Sequence, residues 1–111
     1  MVFESRLHDE PFKLIKLGSK TIELRVYDEK RREMQVGDYL YFTNRVTGEK
    51  IKTKIVALHI YKSFDELYHD YDKVSLGYRI DEAADPKDME VYYPRDEQEK
   101  YGVVGIEIEL L

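Results

Sequence analysis

Residues 18–26 constrain the fold more than any other part of the chain. From Thr21 onward polar and apolar side chains alternate, which is the pattern of a β-strand with two unlike faces. The apolar face would pack on a core: Ile22, Leu24 and Val26. The opposite face would carry a hydroxyl, a carboxylate and a guanidinium: Thr21, Glu23 and Arg25. With Lys20 at the beginning of the strand, this segment predicts a wall that presents two cations and an anion together.

Turn and capping residues divide the rest of the chain into short elements. Strands are predicted at residues 2–8, 21–26, 39–43, 50–61 and 102–110. Short helices are predicted after three capping residues, which are Asp9, Ser63 and Asp85. Gly18 would end the first helix and Pro94 the third. Residues 27–35 show no period and are predicted to form a charged loop.

This order of elements predicts an α+β fold, a mixed β-barrel of about five or six strands with two or three short helices. At 111 residues, the chain is the size of one domain with one modest core, so we expect a single domain over residues 1–111. We expect seven apolar strand residues to share that core: Ile22, Leu24, Val56, Leu58, Val104, Ile106 and Ile108.

Composition excludes several classes of protein. The absence of Cys excludes disulfides and thiol catalysis. No apolar run is long enough to span a bilayer, and the first residues lack the apolar stretch of a signal peptide, so we expect a cytoplasmic protein with no membrane partner. The three histidines have no metal-ligand spacing: His8, His59 and His69. We therefore expect neither a metal nor a cofactor, and we expect a monomer.

The charge of the chain limits how it can meet nucleic acid. A net charge of −5 argues against a protein that coats long nucleic acid, because neutralising phosphates requires a surplus of Lys and Arg. A local basic run follows the alternating strand: Lys30, Arg31 and Arg32. We expect it to lie at the mouth of a cleft and to bind anionic ligands; the alternative is a solvated turn.

The alternating strand also carries a family signature. Four residues fit the pattern GxKxxExR: Gly18, Lys20, Glu23 and Arg25. Three later segments resemble the same family in the right order, at residues 36–38, 64–67 and 101–106. The chain therefore resembles, over nearly its whole length, the ASCH domain family, a small relative of the PUA RNA-binding fold. The resemblance implies a PUA-like barrel that binds RNA or a nucleoside.

Some small members of that family are amidohydrolases that remove the acetyl group from N4-acetylcytidine. The resemblance implies that the signature lysine acts there with a threonine three positions on and a glutamate from a late helix. Lys20 takes the lysine's place, but Glu23 stands at the threonine position and Ala84 at the glutamate position. Three nearby acids are candidates for the missing carboxylate: Glu82, Asp85 and Glu90.

Two functions from different classes follow. The first is a binding module for RNA or a modified nucleoside. Lys20 and Arg25 would contact its phosphate or carbonyl oxygens, and Glu23 would accept a hydrogen bond from an exocyclic amine. One of the ten tyrosines would stack on the base. In an amidohydrolase, Lys20 and Glu23 would be catalytic and would share a proton to activate a nucleophile or water.

Two further interpretations remain open. If Lys20 and Glu23 share a site, we expect the pair to be partly exposed and to contribute only about 0–1 kcal/mol to stability. They can instead form a ligand-free ion pair that holds a loop, in which case loss of either residue would destabilise the fold. The chain can also be a protein-interaction module, which would show an exposed apolar patch in place of a charged cleft.

Overall fold

The computed structural model describes residues 1–111. Its five strands form one sheet in the order β1-β3-β4-β5-β2. They are β1 (Val2–Leu7), β2 (Ile22–Val26), β3 (Tyr39–Asn44), β4 (Lys50–Tyr61) and β5 (Val103–Leu110). β1 pairs with β3 in parallel and all other neighbours are antiparallel. The sheet curls into a half-barrel, which confirms the predicted α+β class and a strand number of five.

Helices surround this sheet and are more numerous than predicted. They are α1 (Asp9–Leu17), α2 (Glu29–Arg32), α3 (Phe64–Asp70), a 3₁₀ helix (Pro86–Val91) and α4 (Arg95–Tyr101). Ser63 and Asp85 cap as predicted, since their side chains accept from the amides of Glu66 and Lys87. α2 and α4 were missed because α2 buries no side chain and α4 only Gln98, so neither has an apolar period.

Two helix ends differ from the prediction. His8, rather than Asp9, occupies the N-cap position of α1. Pro94 follows the 3₁₀ helix and also occupies the N-cap position of α4. None of the helices has the length and apolar character needed to cross a membrane.

The prediction of one shared core is wrong, because the sheet is buried on both faces. Inside the curl, Ile106 and Ile108 pack with Phe12 and Phe42. On the opposite face, a second cluster places strand residues against α3 and the 3₁₀ helix; it includes Ile22, Leu24, Phe64, Leu67, Met89 and Val103. Since each face of β2 meets a different layer, the alternation in β2 did not distinguish a core face from a solvent face.

A bulge in β4 overturns a second expectation. The register with β5 shifts between Ile55 and Ala57, which leaves Val56 as the extra residue. Ile55 is fully buried, whereas Val56 and Leu58 are only partly buried. The bulge reverses which side chains of β4 point into the curl, so the even-numbered residues do not share one face along the whole strand.

Candidate functional site

A cleft of about 780 Å³ lies beside the alternating strand. The junction of β1 and α1 forms one wall, residues 76–93 form another, and the first half of β2 lies between them. The predicted residues that line this cleft are Lys20, Glu23, Arg25 and Glu82. The structure therefore brings the core of the signature to one concave surface.

Glu23 is the centre of a buried charge cluster in this cleft. Its Oε1 lies 3.0 Å from Nζ of Lys20, and its Oε2 lies 3.0 Å from Nη2 of Arg25. The amide of Leu24 also donates to Oε1. Burial opposes ionisation of Glu23, but the two cations outweigh it and lower the pKa of this carboxyl to about 2. The carboxylate is therefore ionised throughout the neutral range.

The Lys20–Glu23 pair is buried, which corrects the expectation of a partly exposed pair. The side chains are 9% and 4% exposed. Gly77 packs closely against the aliphatic part of the Lys20 side chain, since a Cβ on Gly77 would lie 2.9 Å from Cδ of Lys20. The φ of Gly77 is +108°, a conformation that glycine adopts without strain. The loop around Gly77 thus covers the lysine, and sequence position alone gave no indication of this contact.

Arg25 uses its donors on protein groups. Nη2 donates to Oγ of Ser5 at 2.8 Å as well as to Glu23, and Nη1 donates to the hydroxyl of Tyr93 at 3.2 Å. Burial disfavours the charged guanidinium, but Glu23 and Tyr93 more than offset it, so the pKa of Arg25 is raised. Arg25 therefore holds the site together in this structure, in addition to lining the cleft.

Of the three acids proposed to supply a late carboxylate, only one lines the cleft. Glu82 lines it, and its Oε1 accepts from the amide of Arg79. Asp85 caps the 3₁₀ helix, and Glu90 pairs with Arg95 at 3.3 Å; both lie outside the lining. The lining includes a different acid of the 3₁₀ helix, Asp88, which accepts from the hydroxyl of Tyr78 at 2.7 Å.

Tyrosines form much of the remaining lining: Tyr68, Tyr78, Tyr92 and Tyr93. The hydroxyls of Tyr68 and Tyr78 lie 3.0 Å apart. Burial is the main cause that raises the pKa of Tyr68, to about 12. Tyr92 is 58% exposed, and its ring centroid lies 6.3 Å from that of His8. The high tyrosine count was the sequence signal for this feature, but it did not identify which tyrosines belong to the cleft.

The basic run and Thr21 lie outside the cleft lining. Arg31 pairs with Asp28 at 2.9 Å within α2. Arg32 lies over the ring of Tyr27 and donates to the carbonyl of Tyr101, and Nζ of Lys30 is 3.4 Å from the carbonyl oxygen of Glu4. The expected position at the cleft mouth is therefore not observed, because α2 places the run against Glu4 of β1 and against the end of α4.

Sequence reasoning also missed three arginines and two further acids of the lining, which are Arg6, Arg45, Arg79, Glu10 and Asp81. Glu10 and Arg79 pair with each other at 2.6 Å. No local pattern marks these residues, because they meet only through strand pairing and the return of residues 76–93. No group of three or more His, Asp or Glu side chains is arranged to hold a metal ion.

A curled five-stranded sheet whose signature strand supplies a buried Lys–Glu–Arg cluster to a polar cleft defines a small PUA-like domain. A model of the ASCH domain matches residues 6–111, and the chain belongs to the ASCH domain family. Membership of this family is consistent with binding of RNA or a nucleoside.

Two solved structures resemble the whole chain. The crystal structure of hypothetical protein PH0355 is 34% identical, with a TM-score of 0.80 and full coverage of both chains. The solution NMR structure of protein PF0455 from Pyrococcus furiosus is 36% identical, with a TM-score of 0.73, covering 100% of this chain and 98% of that one. A search of curated proteins finds no match.

Proposed function

We propose that the chain binds a nucleoside, free or as one exposed nucleotide of an RNA, in the cleft beside β2. The observation that carries this proposal is the buried cluster of Lys20, Glu23 and Arg25 on the cleft wall. Burying three charges costs desolvation free energy, and well-packed apolar residues often stabilise a fold as well or better. A cluster of this kind is therefore better explained by recognition of a polar ligand than by stability alone.

The charge balance of the cleft supports a nucleoside rather than a long polyanion. Five acidic side chains line it: Glu10, Glu23, Asp81, Glu82 and Asp88. Five Lys or Arg side chains accompany them: Arg6, Lys20, Arg25, Arg45 and Arg79. A base offers both hydrogen-bond donors and acceptors on its edges, and a wall with ions of both signs is complementary to such a ligand.

Tyr92 supports the proposal from the rim of the cleft. More than half of its surface is exposed, although it is a large aromatic residue that directly follows the 3₁₀ helix. Base–aromatic stacking contributes about 1–3 kcal/mol per base, which is enough to anchor a single nucleoside. Tyr92 would stack on the base while the charged wall contacts its polar edge.

Glu23 favours binding over hydrolysis. A general base is most effective when its pKa is near the working pH, and a carboxylate with a pKa of about 2 is a weak base at pH 7. Deacetylation of N4-acetylcytidine stays the alternative function, because Glu82 and Asp88 share the cleft with Lys20. In that alternative the base would be one of these acids rather than Glu23.

Titration calorimetry with cytidine, N4-acetylcytidine, uridine, adenosine and guanosine tests the proposal. We expect at least one nucleoside to bind, with affinity roughly tenfold weaker in Tyr92→Ala and weaker still in Glu23→Gln. Glu33→Gln removes an exposed carboxylate outside the cleft and serves as the control. No binding by any of the five, or binding that both variants retain in full, would overturn it.

The same samples test the hydrolase alternative. Incubation with N4-acetylcytidine followed by chromatography would detect cytidine. Release of cytidine that disappears in Asp88→Asn or Glu82→Gln would establish the enzyme, whereas an unchanged nucleoside would leave binding as the function.

A further inference from the structure

Arg6 and Arg45 differ from the other cations of the cleft because neither has a partner. Lys20 and Arg25 both pair with Glu23, and Arg79 pairs with Glu10. The guanidinium groups of Arg6 and Arg45 make no ion pair and no hydrogen bond within the protein. Both residues are exposed and both line the cleft. They are therefore positive charges available to a ligand.

Strand pairing brings the backbones of these two arginines to the same end of the sheet. Arg6 lies in register with Thr43 in the parallel pairing of β1 and β3. The ladder continues past β3, since the amide of Arg45 donates to the carbonyl of Leu7 at 2.9 Å. Arg45 is the first residue of the turn that follows β3, and this bond holds its backbone against Leu7, the neighbour of Arg6 in the chain. The two arginines therefore lie at the same end of the cleft, where β1 leads into α1.

Two acids at the start of α1 are already engaged by other side chains. Asp9 accepts from the side-chain amide of Asn44 and pairs with Lys13 at 2.8 Å. Glu10 pairs with Arg79 at the cleft. Neighbouring like charges without counter-ions disfavour each other, and a bound anion would relieve that repulsion. The two unpaired arginines are therefore suited to one anionic group.

We infer that Arg6 and Arg45 form a phosphate subsite, so that the preferred ligand is a phosphorylated nucleotide rather than a bare nucleoside. This inference rests on the proposed function and names the substrate class of the same cleft. Guanidinium groups bind phosphate oxygens through charge-assisted, often bidentate hydrogen bonds. Two arginines suit a single phosphate, which agrees with a chain whose net charge of −5 does not suit a long polyanion.

The test compares a nucleoside with its own phosphate. Cytidine and cytidine 5′-monophosphate, and the same pair for N4-acetylcytidine, are titrated into the wild-type protein and into the Arg6→Gln, Arg45→Gln variant. We expect the phosphate to tighten binding about tenfold or more in the wild type, and we expect that ratio to fall toward one in the variant. The ratio should also shrink as salt is raised.

A matched control separates this subsite from a general charge effect. Lys54→Gln, Lys62→Gln removes the same number of positive charges from exposed positions of β4 and its end, outside the cleft. We expect the control to keep most of the wild-type ratio. Thermal melts of both double variants verify that each remains folded.

The outcomes distinguish this inference from the function on which it rests. Nucleoside binding with no gain from phosphate, or a gain that survives the loss of both arginines, overturns the subsite and leaves the proposed function standing. If neither nucleosides nor nucleotides bind, both fail. A cytidine trinucleotide identifies the phosphate source: tighter binding than the monophosphate indicates an RNA strand, and equal or weaker binding indicates a free nucleotide.

Discussion

The Nη2 of Arg25 donates a hydrogen bond of 2.8 Å to Oγ of Ser5, and this bond joins the two edge strands of the sheet. β2 pairs only with β5, and β1 pairs only with β3, so no backbone ladder connects the two edges. A side chain of the family signature therefore spans the gap that the half-barrel leaves open. The same guanidinium also contacts Glu23 and Tyr93, which couples the edges of the sheet to the cleft.

This contact predicts coupling between Arg25 and Ser5. Arg25→Lys keeps the charge but loses the planar fork, so we expect a loss of about 1–3 kcal/mol in the free energy of unfolding. Ser5→Ala should cost less, and the double variant should be more stable than the sum of the two losses predicts, by roughly 0.5 kcal/mol or more. Urea unfolding of the wild type, the two single variants and the double variant gives the coupling free energy between Arg25 and Ser5. Additive losses would show that the bond between the edges does not stabilise the fold.

Glu23 should be essential for stability as well as for binding. In Glu23→Gln the buried Lys20 and Arg25 lose their counter-ion, and breaking a buried pair in this way costs roughly 3–5 kcal/mol. Glu33→Gln, at an exposed carboxylate, should change the free energy of unfolding by less than about 0.5 kcal/mol. Chemical denaturation measures both. A Glu23→Gln protein as stable as the wild type would mean that the cluster is solvated.

The depressed pKa of Glu23 predicts a specific acid dependence. The folded pKa is about 2 against an ordinary value of 4.5, so the carboxylate stabilises the fold fully above pH 4.5. Its contribution is lost as the pH falls from 4.5 through about 2. The difference in unfolding free energy between wild type and Glu23→Gln should therefore shrink over that range, by on the order of 3 kcal/mol. A difference that stays constant between neutral pH and pH 2.5 would contradict this assignment.

Gly77 offers a test of how Lys20 is held. Gly77→Ala places a methyl 2.9 Å from Cδ of Lys20 at a φ of +108°, so it should both strain the loop and displace the lysine. Gly48→Ala is a matched control, with a φ of +77° and no atom within 4 Å of the added methyl. We expect each variant to lose about 1–3 kcal/mol of stability, and only Gly77→Ala to weaken nucleoside binding. If both variants change nucleoside binding equally, displacement of Lys20 does not affect binding, and Lys20 is not part of the ligand site.

The bulge in β4 predicts that truncation of two adjacent residues, Ile55 and Val56, destabilises the fold to different extents. Ile55 is fully buried, and Ile55→Ala should cost about 2–5 kcal/mol. Val56 is the extra, partly buried residue, and Val56→Ala should cost less than about 1.5 kcal/mol. Thermal or chemical unfolding of the two variants measures the difference. A larger loss at Val56 would mean that the register of β4 with β5 is different in solution.

The amino-acid sequence by itself determined the local elements and the family. Alternation identified β2, Gly18 identified the end of α1, and Ser63 and Asp85 identified the starts of α3 and the 3₁₀ helix. The spacing of Lys20, Glu23 and Arg25 identified the signature. These features depend on backbone periodicity and on contacts between residues close in the chain, which a sequence pattern records directly. For the same reason α2 and α4, which bury almost no apolar side chains, gave no signal.

The tertiary structure decided which faces are buried, which charges meet and which arginines are free. Ile22 and Ile106 lie in different apolar clusters because helices cover one face of the sheet and the curl closes over the other. Arg6 and Arg45 lie at the same end of the cleft only because β1 pairs in parallel with β3, and Gly77 reaches Lys20 only because residues 76–93 fold back over β2. Such contacts depend on pairing between residues far apart in the chain, and no local periodicity encodes that pairing.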